Sequence, residues 1–516
     1  MSRLRRISFC ALLLVAGCGR PAPSHTLNYF FTYDPRSLDP ALSTDVPTGE
    51  MVAMLFDNLA QFDVDGALRP GLAERWEADA GGGVYTFHLR GNARFHDGTP
   101  VTSAAVRHSF LRALDPATRG GRAWPLYPIR GARDFANGTA TAVSGITTPD
   151  DSTVVFTLTE PLNIFPKLLA MPVTAIVPDS LPADFGQHPV GSGPWKFVTW
   201  SHDDAILLAR NQDYWGRVPE TDSLRIRIIP EALTLAAEYE AGKLSVVEIP
   251  FGESRRWEER HGSEIQKRPA IRVVYIAINT TRGPLRDVRV RQALNYAVDM
   301  PTILSTVIGG RGLQSAGALP PGILGYDSTR APYPHDPTRA KQLLADAGYP
   351  GGFKLQLWRT AREQYARIAQ AVQQQLGTVG ITVEIVERDA SSARAAARAG
   401  ETDLFLTDWY ADYPDPENFN YPLFYTGSRG PGGNYAFYSN PALDSLILEA
   451  RTTQDESRKA ALSREVDRRV FDAAPWIFCY FPVDWWAERP EVTGWKIPLI
   501  FNGQRWETVK ILKGTG

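Results

Sequence analysis

Four carboxylates crowd one short stretch, Asp408, Asp412, Asp415 and Glu417, interleaved with Trp409, Tyr410, Tyr413, Phe419, Tyr421, Phe424 and Tyr425. The stretch opens with an apolar, strand-like run, Leu404-Phe405-Leu406, after which Pro414, Pro416 and Pro422 argue against helix. A strand that runs into acidic, aromatic and proline-stiffened chain is suited to presenting a carboxylate at the rim of a cleft. Aromatic faces exclude water there, and a desolvated anion attracts a cation more strongly than a solvated one. The same composition also describes an irregular surface loop packed on its own domain, so these residues alone leave both readings open.

Catalytic and metal-binding patterns are weak by comparison. The acidic cluster lacks the spacing and glycine of a calcium loop of the EF-hand type. The eight histidines (25, 88, 96, 108, 188, 202, 261 and 335) show no H-E-x-x-H or other close ligand spacing. Gly191-Ser192-Gly193 is not a nucleophile elbow, which needs G-x-S-x-G. Paired carboxylates could serve a glycosidase, but such pairs arise often by chance. An enzyme, in the form of a cell-envelope hydrolase, therefore stands as the competing class; hydrolysis of added peptide or glycan would support it, and reversible binding without turnover would oppose it.

The elements that must position these residues belong to a chain of 516 residues, too long for one hydrophobic core. A formal net charge of −2, with basic residues scattered rather than striped, gives no pull toward nucleic acid. Arg3, Arg5 and Arg6 precede an apolar run at 7–16 that is too short to span a bilayer as a mature helix. That run closes with Val15-Ala16-Gly17-Cys18, and Arg20-Pro21-Ala22-Pro23-Ser24 reads as a tether. Cys10 would leave with such a signal and Cys18 would be used, so Cys479, inside the apolar run 476–481, is left without a disulfide partner and reads as a buried hydrophobe.

From Leu27 the pattern mixes strand and helix. Tyr85, Phe87 and Leu89 alternate with polar neighbours, which predicts a half-buried strand, and Thr102 is placed to cap a helix. A helix is expected over 51–59 after Thr48-Gly49. Gly191-Ser192-Gly193-Pro194-Trp195 reads as a boundary followed by two strands (206–209 and 224–229), with a long β segment at 271–278. Beyond it, Asp336-Pro337 and Asn440-Pro441 are helix starts, and Tyr365, Ile368, Ala369, Val372 and Leu376 share one helical face. This order fits two α/β lobes with both termini on the first and crossings near 269–279 and 482–490.

Several segments resemble those of bacterial peptide-binding lipoproteins: Pro35 to Ala41 (PRSLDPA), Pro70 to Trp76 (PGLAERW), Phe95 to Thr102 (FHDGTPVT), Gly191 to Trp195, Asn211 to Trp215 (NQDYW), Val288 to Ala297 and Trp409 to Pro414 (WYADYP). In order and over nearly the whole chain, the sequence resembles family 5 solute-binding proteins of ABC importers, the oligopeptide- and dipeptide-binding group. The resemblance implies an α/β, type II periplasmic-binding-protein fold: two lobes joined by a hinge, with an extra α+β subdomain inserted in the first. It divides the chain into a lipoprotein signal peptide (1–17), a lipid-anchored tether (18–26), lobe 1 (27–70, 188–272 and 487–516), the inserted subdomain (71–187) and lobe 2 (273–486). Val15 to Cys18 resembles a lipobox, with Cys18 as the acylated first mature residue, anchoring a monomer to the membrane in the periplasm or cell envelope.

The implied activity is capture of short peptides by hinge closure and their delivery to ABC permease subunits with cytoplasmic ATPases, with no catalysis, cofactor or metal. The carboxylate ending the W-x-x-D motif, here Asp412, would pair with the ligand α-ammonium, a contact worth roughly 4 kcal/mol at about 4 Å and an effective dielectric near 20 before desolvation is subtracted. Asp412 as a local turn cap is the plain alternative. The resemblance further implies that Asp45 with Val46, and Asp408 to Tyr410, pair with ligand backbone, and that Trp409, Tyr480 and Phe481 line side-chain pockets; core packing explains the last two equally well. Arg359, Arg362 and Arg367 are candidates for the ligand carboxylate, with no motif to choose among them. The same fold also binds nickel chelates, oligosaccharides or murein peptides, so a non-peptide solute is the alternative cargo.

Overall fold

The structure, a computed structural model, describes residues 25–512; the signal-like segment and Cys18 lie outside the described residues. Three sheets organise the chain. In the first, the strands run in the order Thr26–Phe31, Ser223–Ile228, Ala205–Arg210, Trp195–Ser201, the outer pair parallel and the rest antiparallel. The second is antiparallel, Ala73–Ala78, Val84–Leu89, Thr153–Thr157, Ile146–Asp150, with the helix Ser103–Leu114 against it. Val84–Leu89 buries Tyr85, Phe87 and Leu89 on alternate positions, as its period requires. Trp195–Ser201 is a third strand after the Gly191–Trp195 boundary where two were expected; partly or fully exposed beyond Trp195, it carries no alternating burial.

The third sheet has eight strands, and one of them, Trp476–Glu488, is thirteen residues long. Its first part pairs with Arg272–Ile278 and its last with Ile265–Pro269 and Val246–Glu248. A single strand thus runs from the half of the molecule built on residues 272–480 into the half built on Thr26–Phe31. Leu404–Tyr410, Phe353–Thr360 and Ile381–Arg388 complete the sheet on the far side. The helices over it start where capping chemistry places them: Asp336 accepts from Arg339 N–H at 2.8 Å, and Asn440 accepts from Ala442 N–H at 3.1 Å. Tyr365, Ile368, Ala369, Val372 and Leu376 are all buried on the inner face of Glu363–Thr378. Cys479 is buried, and burial pushes its thiol up to about 12.

Two expectations fail for local reasons. The helix expected over 51–59 begins five residues earlier, as Val46–Leu55, because Asp45 accepts from Thr48 N–H at 2.9 Å and Pro47 suits a first turn. Gly49 then lies inside the helix, where an added Cβ would fall 2.3 Å from the Phe501 ring. Glycine serves there for close approach, not as a helix boundary. The acidic, aromatic stretch is also partly helical: Glu417–Phe424 forms a helix with Pro422 inside it. Pro422 has no N–H for the carbonyl of Asn418, one turn earlier. The Trp409 indole supplies the missing donor, Nε1 to Asn418 O at 2.8 Å. Three of the seven aromatics here are core: Tyr413, Phe419 and Phe424 belong to the same apolar cluster as Phe87 and Phe156 of the second sheet and Phe110 of the helix against it.

The Trp409 replacement of a helix hydrogen bond gives a coupled prediction. Trp409→Phe is expected to lower the unfolding free energy by about 1–3 kcal/mol by orphaning the Asn418 carbonyl. In a Pro422→Ala background, where an N–H returns, the same change should cost at least about 1 kcal/mol less. Denaturant unfolding of the four proteins measures this, and strict additivity would refute it.

Candidate functional site

Asp412 is aimed by the end of a strand. Leu404–Tyr410 pairs along one edge with Arg272–Ile278 over its whole length, whereas on the other edge only Leu404 and Phe405 find partners, in Phe353–Thr360. From Leu406 to Tyr410 that second edge has no strand partner among the described residues. The chain leaves the sheet at Ala411, whose N–H donates to Ile271 O at 3.0 Å, and turns so that Asp412 N–H donates to Asn418 Oδ1 at 3.1 Å. The Asp412 side chain is therefore not the turn cap; it is free to face outward.

It faces two cavities. One, of about 210 Å³, lies between Tyr410 and Asp412 on one side and Asp45 and Val46 on the other, closed by Arg122 and Phe501. The second, of about 1100 Å³, shares Asp412 and is lined by Trp409, Tyr413, Tyr421, Trp124 and Arg451. Across the first cavity Arg122 Nη2 donates to Asp412 Oδ1 at 2.7 Å.

The four acids of the stretch are each matched to a cation. Asp408 takes Arg272 (Nη2 at 2.8 Å, Nε at 2.9 Å), Arg362 (3.2 Å) and the Tyr365 hydroxyl (2.6 Å). Burial alone would raise the Asp408 carboxyl, but Arg272, Tyr365 and Arg362 outweigh it and hold it below the usual carboxylate range. Asp415 is held by Lys167 Nζ at 2.6 Å and Lys459 Nζ at 2.7 Å. Glu417 accepts from Arg451 Nε at 2.8 Å and from the Tyr413 hydroxyl. Side-chain exposure separates them: 18% for Asp408, 32% for Asp412, 0% for Asp415 and 6% for Glu417. Asp412 is the carboxylate a solute can reach. Among the described residues no three His, Cys, Asp or Glu side chains could hold a metal ion.

The remaining expected residues divide. Tyr410 is 42% exposed and lines the smaller cavity, and Trp409 lines the larger. Asp45 caps the helix that starts at Val46, so Val46 sits in a first helical turn and not in the extended chain expected there. Tyr480 and Phe481 are core residues, not pocket walls: their stretch of the long strand is paired on both sides, by Arg272–Ile278 and Gly312–Gln314, and both side chains point into packed apolar clusters. Of the three arginines, Arg359 is sequestered by Glu387 and the Thr360 carbonyl, and Arg367 sits on the exposed helix face with Glu363. Arg362 alone stands beside the strand, half exposed against Asp408.

Sequence reasoning missed Arg122, Arg272 and three acids with raised pKa values, Glu50, Glu248 and Asp484. Burial lifts Glu50 to about 8, against a hydrogen bond from Tyr29 that pulls it down. Desolvation by the surrounding protein, with Asp484 beside it, lifts Glu248 to about 7 although its side chain is exposed, and desolvation lifts the half-buried Asp484 to about 6 against the pull of Arg272 and Arg311. No local pattern marks these residues, because the long strand and the helix after Asp45 bring them together from distant parts of the chain.

A family model described as bacterial extracellular solute-binding proteins, family 5 Middle, matches residues 67–431. A glutathione-binding protein of Pectobacterium atrosepticum is 32% identical over 456 residues, 86% of each chain. Among solved structures, a periplasmic murein tripeptide-binding protein in its unliganded open form superposes with a TM-score of 0.86 at 25% identity, over 96% of this chain and 98% of the other. An ABC-transporter-associated periplasmic binding protein from Helicobacter pylori, in complex with the peptide STSA, gives 0.74 at 28% identity, over 95% and 98%.

The buried Asp415 carries a pH prediction. Its burial favours the neutral acid, yet Lys167 and Lys459 hold its carboxyl below the usual range. A group depressed in the folded state contributes stability that is complete above its unfolded value, near 4, and is lost as pH falls through its folded value. Asp415→Asn strands two lysine charges and is expected to lower stability at pH 7 by about 3–5 kcal/mol. The variant should also lose part of the acid-induced fall in stability below about pH 4. Urea unfolding between pH 3 and pH 8 measures both, and a loss under about 1 kcal/mol at pH 7 would refute the role.

Proposed function

The chain belongs to the bacterial extracellular solute-binding proteins of family 5, with the two-lobe periplasmic-binding-protein fold, and from that membership we propose that it captures short peptides outside the cytoplasm and hands them to an ABC importer. The observation that carries the reading is the reach of Asp412: an accessible carboxylate at the end of a strand whose neighbouring edge, Leu406 to Tyr410, is unpaired. A peptide α-ammonium meets Asp412 while its backbone lies along that edge, and the turn at Asp45 with the first helical turn at Val46 forms the facing wall. Backbone pairing does not discriminate among side chains, so it supplies affinity without a sequence motif. The larger cavity beside Asp412 has room for side chains of varied size. Arg362, half exposed beside Asp408, is assigned to the ligand carboxylate.

The relatives support peptides over nickel chelates or oligosaccharides, since their names speak of glutathione, a murein tripeptide and the peptide STSA. The higher likeness to an unliganded open form than to a peptide complex fits a cleft standing open. The lobes are assigned as 27–70, 188–272 and 487–516 for the first, with 71–187 inserted, and 273–486 for the second. The hinge is placed where Trp476–Glu488 exchanges the partner Arg272–Ile278 for Ile265–Pro269. The protein acts as a monomer tethered through a lipid on Cys18, without turnover of its ligand.

Asp412→Asn keeps the shape and removes the charge, so affinity for di- to hexapeptides should fall at least about 10-fold, or about 1.5–3 kcal/mol. Titration calorimetry measures it, with thermal unfolding as the control for folding. Unchanged affinity would remove Asp412 from the site.

A further inference from the structure

Leu162 and Asn163 are neighbours in the region assigned to the inserted subdomain, yet they bond to different parts of the molecule. Leu162 belongs to its own subdomain: its N–H donates to Gly82 O at 3.3 Å, and its carbonyl accepts from the Tyr85 hydroxyl at 2.9 Å. Asn163 turns to the second half. Its N–H donates to Arg451 O at 3.2 Å, and its Nδ2 donates to Ala450 O at 2.9 Å and to Thr453 O at 2.5 Å. Its Oδ1 accepts from Lys459 Nζ at 3.0 Å.

Those carbonyls are the loose end of the helix Pro441–Thr452. The last four carbonyls of a helix have no partner within it. Here a residue from a distant part of the chain supplies donors to two of them, at Ala450 and Arg451, and to Thr453 just beyond. The same Lys459 joins Lys167 on the fully buried Asp415, and Glu160 reaches Arg451 at 3.1 Å. Glu160, Asn163 and Lys167 thus all cross to one patch, made by Asp415, the end of Pro441–Thr452 and the start of Glu456–Ala473. Separating the two sides would take one of two cations from Asp415 and leave the helix-end carbonyls without donors, a costly step for so small a contact.

The subdomain is held as firmly on its other side. Asn58 Nδ2 donates to Met171 O at 2.8 Å and to Thr174 Oγ1 at 2.9 Å, and Ile176 N–H donates to Asp57 O at 2.9 Å. It therefore bridges the halves through residues that lie outside the long strand Trp476–Glu488.

We propose that Glu160, Asn163 and Lys167 form a clasp that keeps the inserted subdomain on the second half in the absence of ligand and limits how far the cleft opens. The long strand sets where the halves bend, and the clasp sets how far. Neither Asn163 nor Lys167 lines either cavity beside Asp412, so the clasp acts on the conformation of the cleft and not by touching a solute. It needs only the two-lobe fold and stands or falls independently of which solute is captured.

Spin labels at Val198→Cys, on the edge strand of the first sheet, and at Lys341→Cys, on the helix Pro337–Asp346, report the separation of the halves in the full-length, unliganded protein. Both positions are exposed, and the buried Cys479 does not compete for label. Double electron–electron resonance is expected to give one narrow distance distribution when Asn163 is intact. Asn163→Ala should lengthen the mean by about 5 Å or more and broaden the distribution. Asn163→Leu, which keeps the volume and removes every polar contact of the side chain, should do the same. Thermal unfolding checks that both variants are folded, and unchanged distributions in folded variants overturn the clasp. Hydrogen exchange tests the wild-type chain without any substitution. The Asn163 amide is expected to exchange at least about 100-fold more slowly than an unprotected amide. Exchange at the unprotected rate would overturn the clasp whatever the variants do.

Discussion

A carboxylate with no contact with water, Asp415, sits between two lysines from opposite parts of the chain, Lys167 beyond the second sheet and Lys459 on the helix Glu456–Ala473. Such a group is stable only while both partners are in place, because an unpaired charge in that position is expensive. It also accepts from Glu417 N–H at 2.9 Å, fixing the start of the helix that follows. Asn418 in that helix holds both the Trp409 indole and the Asp412 amide. The direction in which Asp412 points thus depends, through three short contacts, on an ion triad whose carboxylate is fully buried.

The long strand Trp476–Glu488 sets the second constraint. It pairs with Arg272–Ile278 at its start and with Ile265–Pro269 at its end, so one strand joins the two sets of elements that the proposed lobes are built on. Asp484 lies on this strand with Glu248 and Arg272 close by, and desolvation lifts both acids.

What could be read in advance was what local chemistry decides. Asp336 and Asn440 cap the helices they were expected to start, and the Tyr365 to Leu376 stripe is buried as its spacing demands, because capping and periodicity act within a few residues. The position of Asp412 just past a strand end was legible because the apolar run 404–406 marks the strand before it. Pro422 misled because its missing donor is replaced from outside the helix, by Trp409. Tyr480 and Phe481 could not be placed without knowing that their strand is paired on both sides. Arg122 was illegible for a plainer reason: 290 residues separate it from Asp412, and nothing in a loop of glycines and arginines states which distant carboxylate it will meet.

The pattern of neutralisation explains why so acidic a stretch can serve a selective site. Were Asp408, Asp412, Asp415 and Glu417 all open to solvent, they would form a diffuse negative field that attracts any cation, metal ions included. Instead three are bound tightly to Arg272, Lys167 with Lys459, and Arg451, and their exposure falls to 18% or less. The fourth keeps a cation on one oxygen only and remains reachable. In the proposed site, selectivity would come from geometry: one accessible carboxylate, the Arg122 guanidinium beside it and a strand edge without a strand partner among the described residues.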